Sequence, residues 1–241
     1  MENIVIGTHN TMSYLKPKIW YYWFFKPIYA CQNNKIEEQL SSKVVINNTE
    51  YNIEAFDIRV RFNEYGNAYF AHGIVEFKGE TFYTVLDKIN NKAKSSNKNY
   101  YVRMFLEDIT YLNGIMAWLV FGKKRKDKEY LNQEKEFQTD CFIRLCEDIV
   151  SKNYSNIVFF GGIRKGDGVK VYNFNNNEPI LHQLINSYPD ETAVKPKRLE
   201  KIIPKLYAKR HNPMNGRNTN LPLSDISIYD FIISNINTYT K

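Results

Sequence analysis

The six residues Phe56-Asp57-Ile58-Arg59-Val60-Arg61 alternate apolar and charged without a break. Strand side chains point to opposite faces in turn, so an extended segment here puts Asp57, Arg59 and Arg61 on one face and Phe56, Ile58 and Val60 on the other. The segment therefore belongs in a sheet with one packed face and one charged face. A charged face on a strand flanked by apolar residues suits a barrel mouth, where the charges meet a ligand or one another.

Two further apolar runs end in polar groups. Ile4-Val5-Ile6-Gly7-Thr8-His9-Asn10-Thr11 closes on a glycine turn that presents a histidine, an amide and two hydroxyls. Tyr69-Phe70-Ala71-His72-Gly73 ends in His-Gly, so two of the chain's four histidines close apolar runs. A lone histidine in such a place is more often structural than catalytic. A buried polar network, however, would not need two histidines and an arginine at successive strand ends. In (β/α) barrels the active site gathers at the C-terminal ends of the strands.

Bulk properties narrow the class. The 241 residues suit one barrel-sized domain, 1–241, with no internal repeat. Apolar residues at 43% and charged ones at 24% argue against a disordered or membrane-spanning chain. The formal charge of +7 suits anionic lipid surfaces, nucleic acid or nothing in particular, since many basic proteins are simply basic. Cys31, Cys141 and Cys146 form no metal-ligand spacing and read as free thiols, with Cys141 and Cys146 pointing to different faces of a helix. The first strand begins by Ile4, which leaves no room for a signal peptide. The expectation is a cytoplasmic protein peripheral to a membrane, with a secreted mature form carrying a restored Met1 as the alternative.

Along the chain, residues 20–25 are six consecutive aromatics between Lys-Pro pairs, Lys16-Pro17 and Lys26-Pro27. Part of that run suits a core. The remainder would leave an aromatic patch beside cations, as at a membrane headgroup region. Val44-Val45-Ile46, Asn47-Asn48 and Thr49-Glu50-Tyr51 read as a hairpin inserted ahead of the second strand. Residues 81–94 have helical spacing, with Phe82, Val85, Leu86 and Ile89 on one face, before a Ser/Asn loop at 95–99. Residues 114–121 are apolar and precede Lys123-Lys124-Arg125-Lys126-Asp127-Lys128. That pair reads as a core helix with a solvated basic tail, as an interfacial membrane contact, or as a nuclear-targeting or nucleic-acid patch. No nucleic-acid fold or stacking motif supports the third. Residues 130–152 read as a long amphipathic helix, and 157–162 as a buried strand ending in a Gly-Gly turn. Beyond it, Arg164 and Lys165 beside glycines could hold a phosphate or an inositol ring, or lie in a solvated loop. Residues 173–178 form an asparagine-rich turn, and 202–207 and 226–232 read as closing strands.

The first, second and His-Gly stretches together resemble the X domain of phosphatidylinositol-specific phospholipase C. In that family one strand ends in His-Asn or His-Asp, a second carries Asp-x-Arg or Glu-x-Asp, and a third ends in His-Gly. Cys31-Gln32 with Ile36-Glu37-Glu38-Gln39-Leu40 resembles the helix before the family's second strand. Tyr101-Val102-Arg103-Met104-Phe105-Leu106-Glu107 resembles its fourth strand, and Ile226-Ser227-Ile228-Tyr229-Asp230-Phe231-Ile232 its last. The likeness is specific from residue 4 to about residue 108, thins through the middle and returns near the C-terminus.

The resemblance implies a single-domain α/β protein with an irregular (β/α)8 TIM-type barrel. It implies a phosphodiesterase that releases diacylglycerol and inositol 1,2-cyclic phosphate from phosphatidylinositol-type lipids. His9 would be the general base, oriented by Asp230, and His72 the general acid. Arg59, beside Asp57, would hold the phosphate. Asn10, Glu107, Arg164 and Lys165 would contact substrate, and Trp20, Trp23 and Trp118 the membrane. Calcium-dependent members use an Asn, a Glu-x-Asp pair and a Glu, matched here by Asn10, Asp57, Arg59 and Glu107. Asn10, Asp57 and Glu107 could serve as oxygen donors for calcium. Arg59 stands at the fourth position, as in metal-independent bacterial members, so the expectation is no metal and no cofactor. Asn10 replaces the Asp that assists the acid in those members. The expected partner is a phospholipid surface, with no nucleic acid and no protein partner. A non-catalytic lipid-binding module on the same barrel, and a phosphodiesterase for another substrate such as a glycerophosphodiester, are the alternatives.

Overall fold

The computed structural model describes residues 4–8, 10–25, 29–30, 34–46, 49–165, 168–171 and 228–232. His9, Cys31, Gln32, Asn47, Asn48 and the expected features at 173–178 and 202–207 lie outside the described residues. The chain opens with β1 (Ile4–Thr8), β2 (Lys16–Pro17), a 3-10 helix over Trp20–Phe25 and α1 (Ile36–Ser41). Then come β3 (Lys43–Ile46), β4 (Thr49–Phe62), β5 (Ala68–His72), β6 (Val75–Lys78), α2 (Phe82–Ser96) and β7 (Tyr100–Leu106). After these follow α3 (Gly114–Phe121), a 3-10 segment over Gly122–Lys126, α4 (Lys128–Lys152), β8 (Ile157–Lys165), β9 (Gly168–Val171) and β10 (Ile228–Ile232).

This is a mixed α/β architecture. β1, β4, β7 and β8 lie side by side, parallel and in chain order. Parallel neighbours need crossovers, and α1, α2 and α4 occupy the three intervals. Right-handed crossovers that always step the same way leave their helices on one face of the sheet. The packing agrees. Phe56, Ile58, Val60, Val102, Met104 and Leu106 share one apolar cluster with Val85, Leu86 and Ile89 of α2 and Phe142, Leu145 and Ile149 of α4. Burying each such side chain contributes about 1.5–3 kcal/mol. The alternate residues, Asp57, Arg59 and Arg61 of β4 and Arg103 of β7, are buried as well, outside that apolar cluster.

The helix over 81–94 is α2, with Phe82, Val85, Leu86 and Ile89 all buried. The Thr81 side chain caps it by accepting from the Thr84 N–H, and Asn97 ends it in the left-handed conformation. At the C-terminal end of β4 the Gln138 side chain pairs with the strand backbone as a neighbouring strand would. Its Oε1 accepts from the Phe62 N–H at 2.9 Å and its Nε2 donates to the Phe62 carbonyl at 2.7 Å.

Several expectations change on meeting the fold. The 42–52 hairpin exists, but its second arm is the start of β4 itself, a continuous strand of 14 residues. β5, with the His-Gly end, runs antiparallel to β4 as a hairpin rather than as a further parallel strand. β8 does not turn at Gly161-Gly162; it continues to Lys165 and pairs antiparallel with β9. β10 lies where a last strand was expected, beside β1, yet it runs antiparallel, with Asp230 opposite Ile6. Among the described residues the sheet is open. Cys141 and Cys146 are both buried, because the packed face of α4 is wide enough to take both. Among the described residues no helix is long and apolar enough to cross a membrane.

Candidate active site

The exit of β1 is a tight turn fastened to β4. Asn10 adopts φ +45°, a left-handed conformation that Asn tolerates better than most residues. In this turn the Asn10 N–H donates to Asp57 Oδ2 at 3.1 Å, and the Thr11 N–H donates to the Asp57 carbonyl at 2.9 Å. The Thr8 and Thr11 hydroxyls pair at 2.8 Å beneath it. The whole set is buried.

Asp57 Oδ2 also receives Arg59, whose Nε and NH2 both lie 3.2 Å away. The same guanidinium reaches Glu107 Oε2 through NH1 at 3.4 Å. Glu107 follows the last residue of β7, and its other oxygen accepts the Gly73 N–H at 2.9 Å. Gly73 sits at φ +55° with open space where a Cβ would go, so conformation rather than crowding favours glycine there. These bonds draw the ends of β1, β5 and β7 together around the middle of β4.

His72 completes the circuit. Its Nδ1 lies 2.8 Å from the Tyr29 carbonyl oxygen, which can only accept, so Nδ1 carries a proton. In the neutral ring Nε2 is then the acceptor, and the Asn10 side-chain Nδ2 donates to it at 3.1 Å. The ring is half-buried, whereas Asn10 is buried. The second histidine nitrogen is thus held against backbone, and Nε2 is turned toward the polar cluster.

Glu107 is the electrostatic hinge of the cluster. Burial pushes its carboxyl up, but the Arg59 guanidinium, His72, the Gly73 N–H and Arg61 outweigh this and hold it below the usual carboxylate range. Arg61 donates from Nε to the Glu107 carbonyl at 3.2 Å and from NH2 to the Gly73 carbonyl. Arg103 lies across the sheet in register with Asp57, its guanidinium carbon 4.1 Å from the centre of the Phe105 ring. Three buried arginines therefore accompany Asp57 and Glu107.

The structure brings together Asn10, Asp57, Arg59, His72 and Glu107 among the expected residues. His9 lies outside the described residues, and the side chains of Asp230, Arg164 and Lys165 are likewise outside them. Trp20 and Trp23 are exposed on the 3-10 helix after β1, and Trp118 on α3. Sequence reading gave no site role to Tyr29, to the backbone of Gly73, which it named only as the end of the His-Gly stretch, or to Arg103. The first two act through backbone groups, which no side-chain pattern reports. Alternation along β7 could have found Arg103, since it shares a face with Glu107.

No known protein family matches the chain, and no curated relative matches it either. Among solved structures it is similar to a crystal structure of a pentafluoro-Phe-incorporated phosphatidylinositol-specific phospholipase C from Staphylococcus aureus, at 18% identity and a TM-score of 0.37. The likeness covers 78% of this chain and 55% of that one, so the chain spans little more than half of that structure's length.

Proposed function

We propose that this protein is a phosphodiesterase acting on phosphatidylinositol-type lipids, on an irregular (β/α)8 barrel to which β1, β4, β7 and β8 contribute parallel strands. The observation that carries the reading is the circuit Asn10–His72 and Gly73–Glu107–Arg59–Asp57–Asn10, buried at Asn10, Asp57, Arg59 and Glu107 and half-buried at His72 and Gly73. It links an imidazole with one nitrogen anchored on backbone, through Asn10 and Asp57 on one side and Gly73 and Glu107 on the other, to a guanidinium bonded to two carboxylates. The resemblance of the His-Asn, Asp-x-Arg and His-Gly stretches to the phospholipase C family supports the same assignment.

In the proposed reaction His9, oriented by Asp230, takes the proton of the inositol 2-hydroxyl, and that oxygen bonds to phosphorus. The bond from phosphorus to the glycerol oxygen breaks, and His72 gives its Nε2 proton to the departing oxygen. Arg59 stabilises the charge on the non-bridging oxygens. Protonated Nε2 needs an acceptor rather than a donor at rest, which a half-turn of the Asn10 amide supplies. Glu107, Arg164 and Lys165 are the groups proposed for the inositol hydroxyls and phosphate. Trp20 and Trp23 are proposed to meet the membrane at the rim.

Metal independence is part of the proposal. A calcium ion using Asn10, Asp57 and Glu107 would have to displace a guanidinium already bonded to both carboxylates.

The test is incubation of purified protein with phosphatidylinositol vesicles in excess chelator, following phosphorus products, with His9→Ala and His72→Ala alongside. Cyclic inositol phosphate that forms under chelation and disappears in both variants supports the mechanism. Activity that requires added calcium would overturn the role given to Arg59. No cleavage in either condition by a folded protein would favour the lipid-binding module or another phosphodiester.

A further inference from the structure

The octapeptide of α3, Gly-Ile-Met-Ala-Trp-Leu-Val-Phe, has no charged residue, so its sequence gives it no polar face to turn to water. It does not become a core helix. Ala117 and Phe121, one turn apart, are its buried residues, packed with Ile109 and against Leu112, Tyr130 and Leu131. The opposite side presents Ile115 at 77% exposure and Trp118 at 58%, with Met116 and Leu119 also exposed. Single exposed apolar residues are ordinary; four within five positions of one short helix form a patch.

The segment that follows supplies the second term. Gly122–Lys126 carries Lys123, Lys124, Arg125 and Lys126 and no acid. Arg125 NH1 donates to the Gly114 carbonyl at 3.1 Å, which folds the basic segment back onto the start of α3. Lys123, Lys124 and Lys126 are exposed. Apolar wedge and cations are thus one fixed unit. It follows the C-terminal end of β7 and precedes α4, the helix that runs back, much as the Trp20–Phe25 helix lies between β1 and α1, after the short β2.

From this we infer that α3 and the Lys123–Lys126 segment form a docking surface for anionic phospholipid. Anionic headgroups attract the cations while the apolar side enters the headgroup–acyl boundary, and the two contributions add. A nucleic acid would use the cations and leave the Ile, Met and Leu side chains without a role. Placement at the rim of the catalytic site rests on the function proposed above; the affinity for anionic lipid does not.

The test therefore uses lipid that cannot be cleaved by that function. Vesicles of neutral phosphatidylcholine are compared with vesicles containing phosphatidylserine, by co-sedimentation. Binding should require phosphatidylserine and weaken with added salt. Lys123→Gln with Lys126→Gln should lower the partition coefficient about 25-fold, at roughly fivefold per cation near such a surface. Ile115→Ser with Trp118→Ser should lower it roughly a hundredfold while circular dichroism stays unchanged. His72→Ala should bind as the unmodified protein does. Equal binding to neutral vesicles, or binding unchanged in both double variants, would overturn the inference. So would a dimer in sedimentation velocity that Ile115→Ser with Trp118→Ser abolishes, since that face would then belong to a second copy. A protein that binds phosphatidylserine vesicles but cleaves no inositol lipid would overturn the proposed function and leave this inference standing.

Discussion

The side-chain amide of Asn10 lies 3.1 Å from Nε2 of His72, while Nδ1 of the same ring is held by the Tyr29 carbonyl at 2.8 Å. A neutral amide at that place supports either protonation state of Nε2, because it can present its NH2 or its oxygen. A carboxylate there would favour the imidazolium alone. Asn10→Asp is therefore expected to keep His72 protonated to higher pH and to move the alkaline limb of the kcat profile upward. An unmoved limb would show that Nε2 is not the proton donor.

Asp57 is fully buried and takes the Asn10 N–H and two nitrogens of Arg59 on one oxygen. Removing one partner of a buried pair leaves the other charge without compensation. Asp57→Ala is expected to lower stability by about 3 kcal/mol, read from the urea midpoint. It should also loosen the turn at Asn10. A loss below about 1 kcal/mol would mean that Glu107 alone suffices to hold Arg59.

The depressed carboxyl of Glu107 gives a pH dependence with a definite sign. Its folded value is below the ordinary 4.5, so the stabilisation is complete above 4.5 and is lost as pH falls through the folded value. Urea midpoints taken from pH 6 to pH 3 should fall on the acid side of 4.5, and Glu107→Gln should flatten part of that fall. An equally steep fall in the variant would assign the acid sensitivity to other carboxylates.

The second strand could be read almost completely from its alternation, because a period of two fixes faces wherever the strand lies. The sense in which β5 runs could not be read. An apolar run ending in His-Gly looks the same whether its strand is parallel or antiparallel, and only pairing with Val60–Phe62 decides it. For α3 the sequence left a core helix and an interfacial contact both open. A helix without polar residues has no side that periodicity can assign to the core, so Ala117 and Phe121 were chosen by the partners folded against them. The circuit around Arg59 was legible in its side chains and hidden in its backbone members, Tyr29 and Gly73.

Among the described side chains of the Trp20–Phe25 helix, Trp20 and Phe24 are the most exposed, at 73% and 72%, and their rings meet edge to face at 6.0 Å. Trp20→Ala with Phe24→Ala should lower activity on vesicles by at least about tenfold and leave hydrolysis of a soluble, monomeric inositol phosphodiester within about twofold. Equal losses on both substrates would place these rings in the fold or the site rather than at a membrane.

The most direct test of the central claim concerns the leaving group. A general acid matters most when the departing oxygen is a strongly basic alkoxide and least when it is a stable phenolate. Unmodified protein and His72→Ala are compared on an alkyl inositol phosphodiester and on the matching p-nitrophenyl ester. His72→Ala is expected to lose about a hundredfold or more on the alkyl ester and to stay within about tenfold on the nitrophenyl ester. Equal losses on the two esters would contradict proton donation by His72.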